Sequence, residues 1–378
     1  MLLSGTLYAA PIEKIRFDGF ASFVVGPAVD NDRSTLGDYQ FEPGYQTGTI
    51  FALQAHMDLQ DGLMATMQIA AKGEDNFNAK LNWAYVTYEI TAQWQAHLGR
   101  FRIPLFMYSD VLDVGYTYHW ISPPYSVYNL SEFDSIDGFE LDHKGHVLDW
   151  NSQISLVMGA SKQDLVLTGE SAESEIKGLG LLAISINKGW LTYRIAVGRA
   201  NLQMSIDSLS QIATQGLSSQ GVPEDVISKM LIDEDEVAFA GAGYSLDFQG
   251  YFIRSEYTLL RFESSILNDP AKQWYLSIGK ILKKDISVYV TYENSQSTLS
   301  ENERDEIIGQ LPFGSLNSAA SYVSDAFLSQ ATNYNSNAVG VRYDFHPQAA
   351  IKIEAFSQED QLFNRRYNGG ILAIDLVF

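Results

Sequence analysis

The chain has 378 residues, 25 Lys plus Arg against 46 Asp plus Glu for a formal net charge of -21, 46% hydrophobic residues, and no Cys. That charge excludes a general nucleic-acid binder, which needs a basic stripe to displace counterions. The missing thiols exclude a disulfide scaffold, a thiolate metal site and a cysteine nucleophile, and no apolar run is long enough for a transmembrane helix.

Residues 1–13, "MLLSGTLYAAPIE", read as a segment ahead of the fold. Its short apolar run ends in small residues like the tail of an export signal but has no basic start, and a plain amino terminus explains it equally. Residues 14–378 read as one domain in which hydrophobicity alternates with period two. In "TIFALQAHMDLQ", Thr49 to Gln60, one face takes Phe51, Leu53, Ala55, Met57 and Leu59 and the other Gln54, His56, Asp58 and Gln60. A helix would scatter these residues around its circumference, so they form a strand. Asp61-Gly62 turns the chain, and Leu63 to Lys72 returns with the same alternation.

The unit repeats to the end. It predicts strands at 14–25, 48–60, 63–73, 81–91, 93–102, 135–144, 149–160, 176–187, 190–200, 236–248, 251–263, 272–283, 285–294, 337–346, 349–358 and 369–378. Tight turns fall near Asp61-Gly62, Thr91-Ala92, Lys144-Gly145, Asn187-Lys188-Gly189, Gln249-Gly250, Lys284-Asp285 and His346-Pro347, each followed at the other strand end by a longer polar loop. One face of each strand is apolar, as in Leu191, Tyr193, Ile195, Val197 or Val339, Val341, Tyr343, Phe345. The other carries Arg16, Arg194, Arg254, Glu256, Arg342, Asp344, Lys352 and Glu354, which a dry core would refuse.

Short turns at one end and long loops at the other separate this pattern from a soluble sandwich, whose Greek-key crossovers mix connection lengths. The expected fold is an all-β, sixteen-stranded antiparallel transmembrane β-barrel with short periplasmic turns and long external loops. Trp94, Trp150 and Trp190 follow short turns while Trp83 and Trp274 open strands at the loop end, the placement of two interfacial belts. Ser205 to Asp235 and Ser300 to Ala331 have helical periodicity and are expected to fold over the external mouth.

The stretch from 103 to 134 is too long for a hairpin loop and too aromatic for disorder, so it should pack on something. Just before it, strict alternation after Trp94, Ala96 and Leu98 would point Arg100 and Arg102 into lipid. An Arg at the bilayer midplane costs about 2 to 4 kcal/mol. A bulge at Gly99 would instead aim both into the lumen, and the alternative is that the strand has already left the membrane there; the bulge is the expectation.

With "GR" at Gly99-Arg100, "FDSIDGFEL" opening the next strand and a terminal Phe378, the chain resembles the general porins of Gram-negative outer membranes. Those are trimeric sixteen-stranded barrels whose third external loop folds into the lumen. The resemblance implies passive diffusion of small hydrophilic solutes and ions through a pore narrowed by residues 103–134. It also implies a homotrimer in outer-membrane lipid and lipopolysaccharide, and Phe378 as the signature read by the barrel-assembly machinery. Carried over by residue, Arg100 and Arg102 match the basic pore wall, Asp110 and Asp113 the loop acids, with Arg16, Arg194, Arg254, Arg342 and Lys352 on the same wall. The family's usual Pro-Glu-Phe-Gly type stretch is absent. An aromatic segment replaces it, so either Tyr116, Tyr118 and Trp120 pack the loop on the wall, or a sugar or aromatic solute slides along them.

Other classes stay open at this point. A lipolytic barrel needs a Ser, a His and an orienting group, but no "GxSxG" turn is present, although His56 and His97 have lumen parity. Asp142, His143 and His146, and the acidic run Asp233 to Glu236, read as turn and rim rather than metal sites, so no metal and no cofactor is expected. A structural or adhesive barrel with a filled lumen is the remaining alternative.

Overall fold

A computed structural model describes residues 15–27, 43–129, 135–167, 170–206, 218, 224, 227, 232–263, 270–297, 332–362 and 364–378. Sixteen long strands make one sheet: β1 Ile15–Pro27, β2 Ile50–Asp58, β3 Leu63–Lys72, β4 Ala79–Glu89, β5 Trp94–Arg102, β6 Ser135–Val147, β7 Trp150–Leu167 and β8 Glu170–Asn187. They continue as β9 Leu191–Ile206, β10 Ile232–Phe248, β11 Tyr251–Phe262, β12 Ala271–Lys283, β13 Ile286–Ser297, β14 Thr332–His346, β15 Ala349–Asp360 and β16 Arg365–Val377. Each pairs antiparallel with the next, and β16 returns to β1 from Phe20 opposite Val377 to Val25 opposite Leu372. A two-residue strand, Pro43–Gly44, extends the loop end of β1.

Closure is what hydrocarbon demands. A barrel leaves no row of unpaired amides, and the last rung is completed by Phe378, whose N–H donates to the Gly19 carbonyl at 2.9 Å while Gly19 N–H donates back at 2.7 Å. The outward face is an exposed apolar band that includes Phe23, Leu53, Leu98, Ile195, Val290, Val339, Ile353 and Leu372. Water would not tolerate so continuous a patch, whereas lipid requires it. The sixteen-stranded antiparallel barrel read from the sequence is the observed architecture.

Several connections differ from expectation. The sixth strand runs past Lys144-Gly145, and the chain reverses at Leu148-Asp149, where Leu148 takes a φ of 54°. At the other end, β3 joins β4 through a short 3-10 turn at Gly73–Asp75, and β7 and β8 are each 18 residues, so their hairpin rises above its neighbours instead of ending in a long loop. Polar residues such as Lys162 and Glu173 broke the sequence pattern there, but out of the membrane a strand needs no apolar face. The run Asp233 to Glu236 likewise belongs to β10, with Glu234 on Lys177 and Glu236 on Arg199. Residues 1–13 and almost all of the two segments with helical periodicity lie outside the described residues.

Trp94, Trp150 and Trp190 do sit at the short-turn end, against His143, Tyr193 and Phe248. Trp83 does not belong to a belt. Trp83 shares the inward face of its strand with Tyr85 and Thr87, and its Nε1–H donates to Gln54 Oε1 at 3.1 Å; the register shift comes one residue beyond it, at Asn82.

The main core lies inside the barrel. Phe101, Ile103, Phe106, Tyr118, Trp120, Val127 and Tyr128 of the long loop and its approach pack on Ile136, Val157, Leu181, Phe239, Phe252, Tyr275 and Tyr289 of the wall. The aromatic sequence that argued against disorder is therefore a hydrophobic interior packed on the run of wall from β6 to β13.

Candidate functional site: the lumen and its inserted loop

The loop leaves β5 and crosses the lumen toward the strands at the far wall, and its backbone bonds explain its path. It has few of its own: short 3-10 turns at Ser109–Val111 and Gly115–Thr117 and a one-turn helix at Tyr125–Tyr128. The remaining carbonyls and amides must be satisfied from the wall, because they are buried. Wall cations supply the donors. Arg342 donates to the carbonyls of Tyr116 at 2.8 Å and Tyr118 at 2.6 Å, Lys352 to those of Gly115 at 2.6 Å and Trp120 at 2.5 Å, and Arg194 to that of Pro104. Wall carboxylates supply the acceptors. Glu256 takes the Met107 N–H at 2.8 Å with the hydroxyls of Tyr275 and Tyr128, and Glu293 takes the Ser126 N–H at 2.9 Å.

Lys352 is fully buried, at 0% exposure, and also meets Asp375 at 2.8 Å, whose other oxygen accepts from Ser22 Oγ at 2.6 Å. This knot ties β1, β15 and β16 to the loop at the seam where the barrel closes. Asp375 faces inward, but it is sealed beneath Gly115 rather than wet.

The aromatic residues are packed. Trp120 is 1% exposed, with Nε1–H donating to Ser277 Oγ and Thr291 Oγ1, and Tyr118 lies under Lys352 with its hydroxyl on the Leu112 carbonyl. Tyr116 stacks on Arg342 and donates to the Pro347 carbonyl at 2.7 Å. A solute cannot reach Tyr118 or Trp120, so the sliding-rail expectation loses its surface. His119 stacks on Trp120 and Phe252, and burial holds its imidazole well below the ordinary range, with Arg254, Lys352 and Arg342 adding to the effect. It contacts Ser277 Oγ at 2.8 Å, a Ser–His pair, yet Ser277 is 0% exposed and admits no substrate.

The strand-5 arginines separate. Pairing through Gly99 is unshifted, with Tyr85 on one side and Gly138 on the other, so no bulge reverses the parity. Arg100 points outward and makes a bidentate pair with Asp137 directly across the ladder, at 2.8 and 2.6 Å. Opposite charge at the neighbouring outward position, not a change of face, is what reduces the cost of exposing that guanidinium. Arg102 sits where the strand ends, and its side chain swings under the loop to Asp113 at 2.5 Å and the Ser109 carbonyl at 3.2 Å, over the Trp83 ring.

Asp113 also meets Lys72 at 3.2 Å. Burial by itself would raise its carboxyl, but Arg102 and Lys72 outweigh that and hold it down at about 2. Arg254 braces its own hairpin, donating to the Leu246 carbonyl and Asp247, and Arg16 pairs with Asp18 near the turn end, away from the loop. Asp110 is exposed on the loop.

Among the described residues, Asp110 and the inward Glu140 of β6 meet no hydrogen-bond or ion-pair partner. Glu140 stands opposite His97, which contacts Asp142 at 3.1 Å and Thr87 at 2.8 Å. Sequence reading placed His97 on the lumen side but grouped Asp142 with His143 and His146. Parity along "DGFELDH" would have separated them, since Gly138, Glu140 and Asp142 share one face and His143 the other.

No protein-family model matches the sequence, and no curated protein does either. Solved structures do match along nearly the whole chain. An outer membrane channel, DcaP of Acinetobacter baumannii, aligns over 96% of this chain and 97% of its own at 11% identity and a TM-score of 0.58. An anion-selective porin from Comamonas acidovorans aligns over 96% and 99% at 11% identity and 0.57. The trimer form of OmpT, an outer membrane protein of Vibrio cholerae, aligns over 96% and 99% at 10% identity and 0.54. At such identity the likeness is one of fold: this chain has the porin-type barrel.

Proposed function

We propose that the protein is an outer-membrane channel, assembled as a homotrimer and without catalytic activity. Small hydrophilic solutes and ions would diffuse passively through the part of the lumen that the inserted loop leaves free, with cations preferred. The channel reading rests on the porin-type barrel shared with the DcaP channel and the Comamonas porin, and the trimer on the trimer form of the Vibrio protein. Lipid and lipopolysaccharide would surround the apolar band, and the barrel-assembly machinery would insert the chain.

One observation carries the ion preference. The lumen cations Arg102, Arg342 and Lys352 are each paired with a carboxylate, Asp113, Asp344 and Asp375, and Arg194 is held on the Pro104 carbonyl, whereas Asp110 and Glu140 have no hydrogen-bond or ion-pair partner among the described residues. A permeating ion therefore meets a net acidic field, and selectivity in a pore follows the fixed charges it passes. The anion selectivity of the Comamonas porin belongs to that protein's own side chains.

Purified protein in planar bilayers should give stepwise conductance and a cation-favouring reversal potential under a KCl gradient. Asp110→Asn with Glu140→Gln should move that potential toward zero. An unchanged potential would remove both acids from the path. No conductance from correctly folded barrels would sink the channel and support the structural barrel, for which the packed lumen is the specific observation.

A further inference from the structure

His97, Glu140 and Asp142 point into the lumen from two neighbouring strands, β5 and β6, and their ligand atoms all lie within 4.8 Å of one another. His97 is directly across the ladder from Glu140 and diagonal to Asp142, so the sheet itself fixes the three Cα positions. We propose that this triad binds one divalent transition-metal ion of the zinc class on the channel wall.

The donor set matches that chemistry. One imidazole nitrogen and two carboxylates suit a borderline ion such as Zn2+, while Mg2+ and Ca2+ take oxygen-only shells. In a tetrahedral zinc site with bonds of about 2.1 Å, neighbouring ligand atoms stand about 3.4 Å apart. His97 Nε2 and Asp142 Oδ2, at 3.1 Å, are within about 0.3 Å of that spacing, and the Glu140 carboxylate lies within 4.8 Å of both.

The surroundings are built as an outer shell. Thr87 Oγ1 lies 2.8 Å from His97 Nδ1 and accepts a hydrogen bond from Nδ1–H when Nε2 binds the ion, fixing ring and tautomer. Ser155 Oγ donates to Asp142 Oδ1, leaving Oδ2 turned toward His97. Glu140 supplies the second, independent sign. It is a half-buried carboxylate beside another carboxylate, with no hydrogen bond or ion pair among the described residues. Two such groups facing one another are mutually repelled unless a proton or a cation sits between them. Three protein ligands leave a fourth tetrahedral position for a water molecule.

The site deepens the channel reading, because an ion held there cancels the acidic field that favours cations. It does not depend on conduction. Its test is therefore made first on folded protein in detergent, by titration calorimetry with ZnCl2, with MgCl2 and CaCl2 as contrasts. Zinc should bind at one equivalent, with magnesium and calcium at least tenfold weaker. His97→Ala and Glu140→Gln should each weaken zinc at least tenfold, and Glu140→Gln keeps the side-chain volume if the first variant folds poorly. Absent zinc binding, or equal binding in both variants, which would place the ion on surface acids or His143 and His146, overturns the site. In bilayers, micromolar zinc should lower cation preference in the parent and not in Glu140→Gln. Zinc binding without conductance would leave the site standing and refute the channel.

Discussion

Lys352→Met replaces the buried ammonium with an apolar chain of similar length and leaves Asp375 inside the barrel with only Ser22 Oγ as partner. Breaking a buried pair by removing one member costs about 3 to 5 kcal/mol, because the remaining charge has lost its compensation. The carbonyls of Gly115 and Trp120 lose their donor as well, at about 1 to 3 kcal/mol each if they stay dry. The loop is free to lift and let water reach them, so this second cost is capped while the first is not. Lys352→Met is therefore expected to lose about 3 to 5 kcal/mol in reversible urea unfolding in detergent or thin-bilayer vesicles. Adding Asp375→Asn should recover most of it, since the amide stays bonded to Ser22 and carries no charge. Single-channel current should rise in both variants as the loop loses its seam anchor. A single variant as stable as the parent, or a double variant destabilised by the sum of the two singles, would refute the assignment of Lys352 as the clamp.

Acid should loosen the opposite side of the loop. The Asp113 carboxyl is depressed, at about 2 against an ordinary 3.8, so its contribution is complete above about pH 4 and is lost as pH falls toward 2. That depression corresponds to roughly 2 to 3 kcal/mol, read as the difference in urea unfolding free energy between parent and Asp113→Asn from pH 5 to 2, which should all but vanish at the acid end. Arg100→Ala should leave reversal potential unchanged, because its guanidinium is on the outer face with Asp137, and a shift in selectivity would return it to the lumen. Removing Phe378 takes away both backbone bonds to Gly19 and the ring that covers it, so the yield of heat-resistant inserted barrel should fall, with conductance of the inserted molecules unaltered.

Alternation by itself determined the strands, their faces and the closed barrel, since a period of two with one apolar face has no other stable form in hydrocarbon. It determined more than was first drawn from it: Arg100 does obey parity, and the apparent need for a bulge came from pricing its charge without its cross-strand partner. Asp137 is 37 residues away in the chain, and only pairing of β5 with β6 brings the two together.

The same limit hid the site. Arg194, Arg342 and Lys352 were legible as inward cations, but whether they face water or hold a loop depends on where residues 103–129 lie, and no local pattern encodes that path. Trp83 lies on the inward face of β4, against Gln54 of β2, and the union of His97 with Glu140 and Asp142 came from strand register. Periodicity is a property of one strand, whereas lumen chemistry is made between strands and an inserted loop, so only the tertiary structure decided which charges are spent on architecture and which remain for ions.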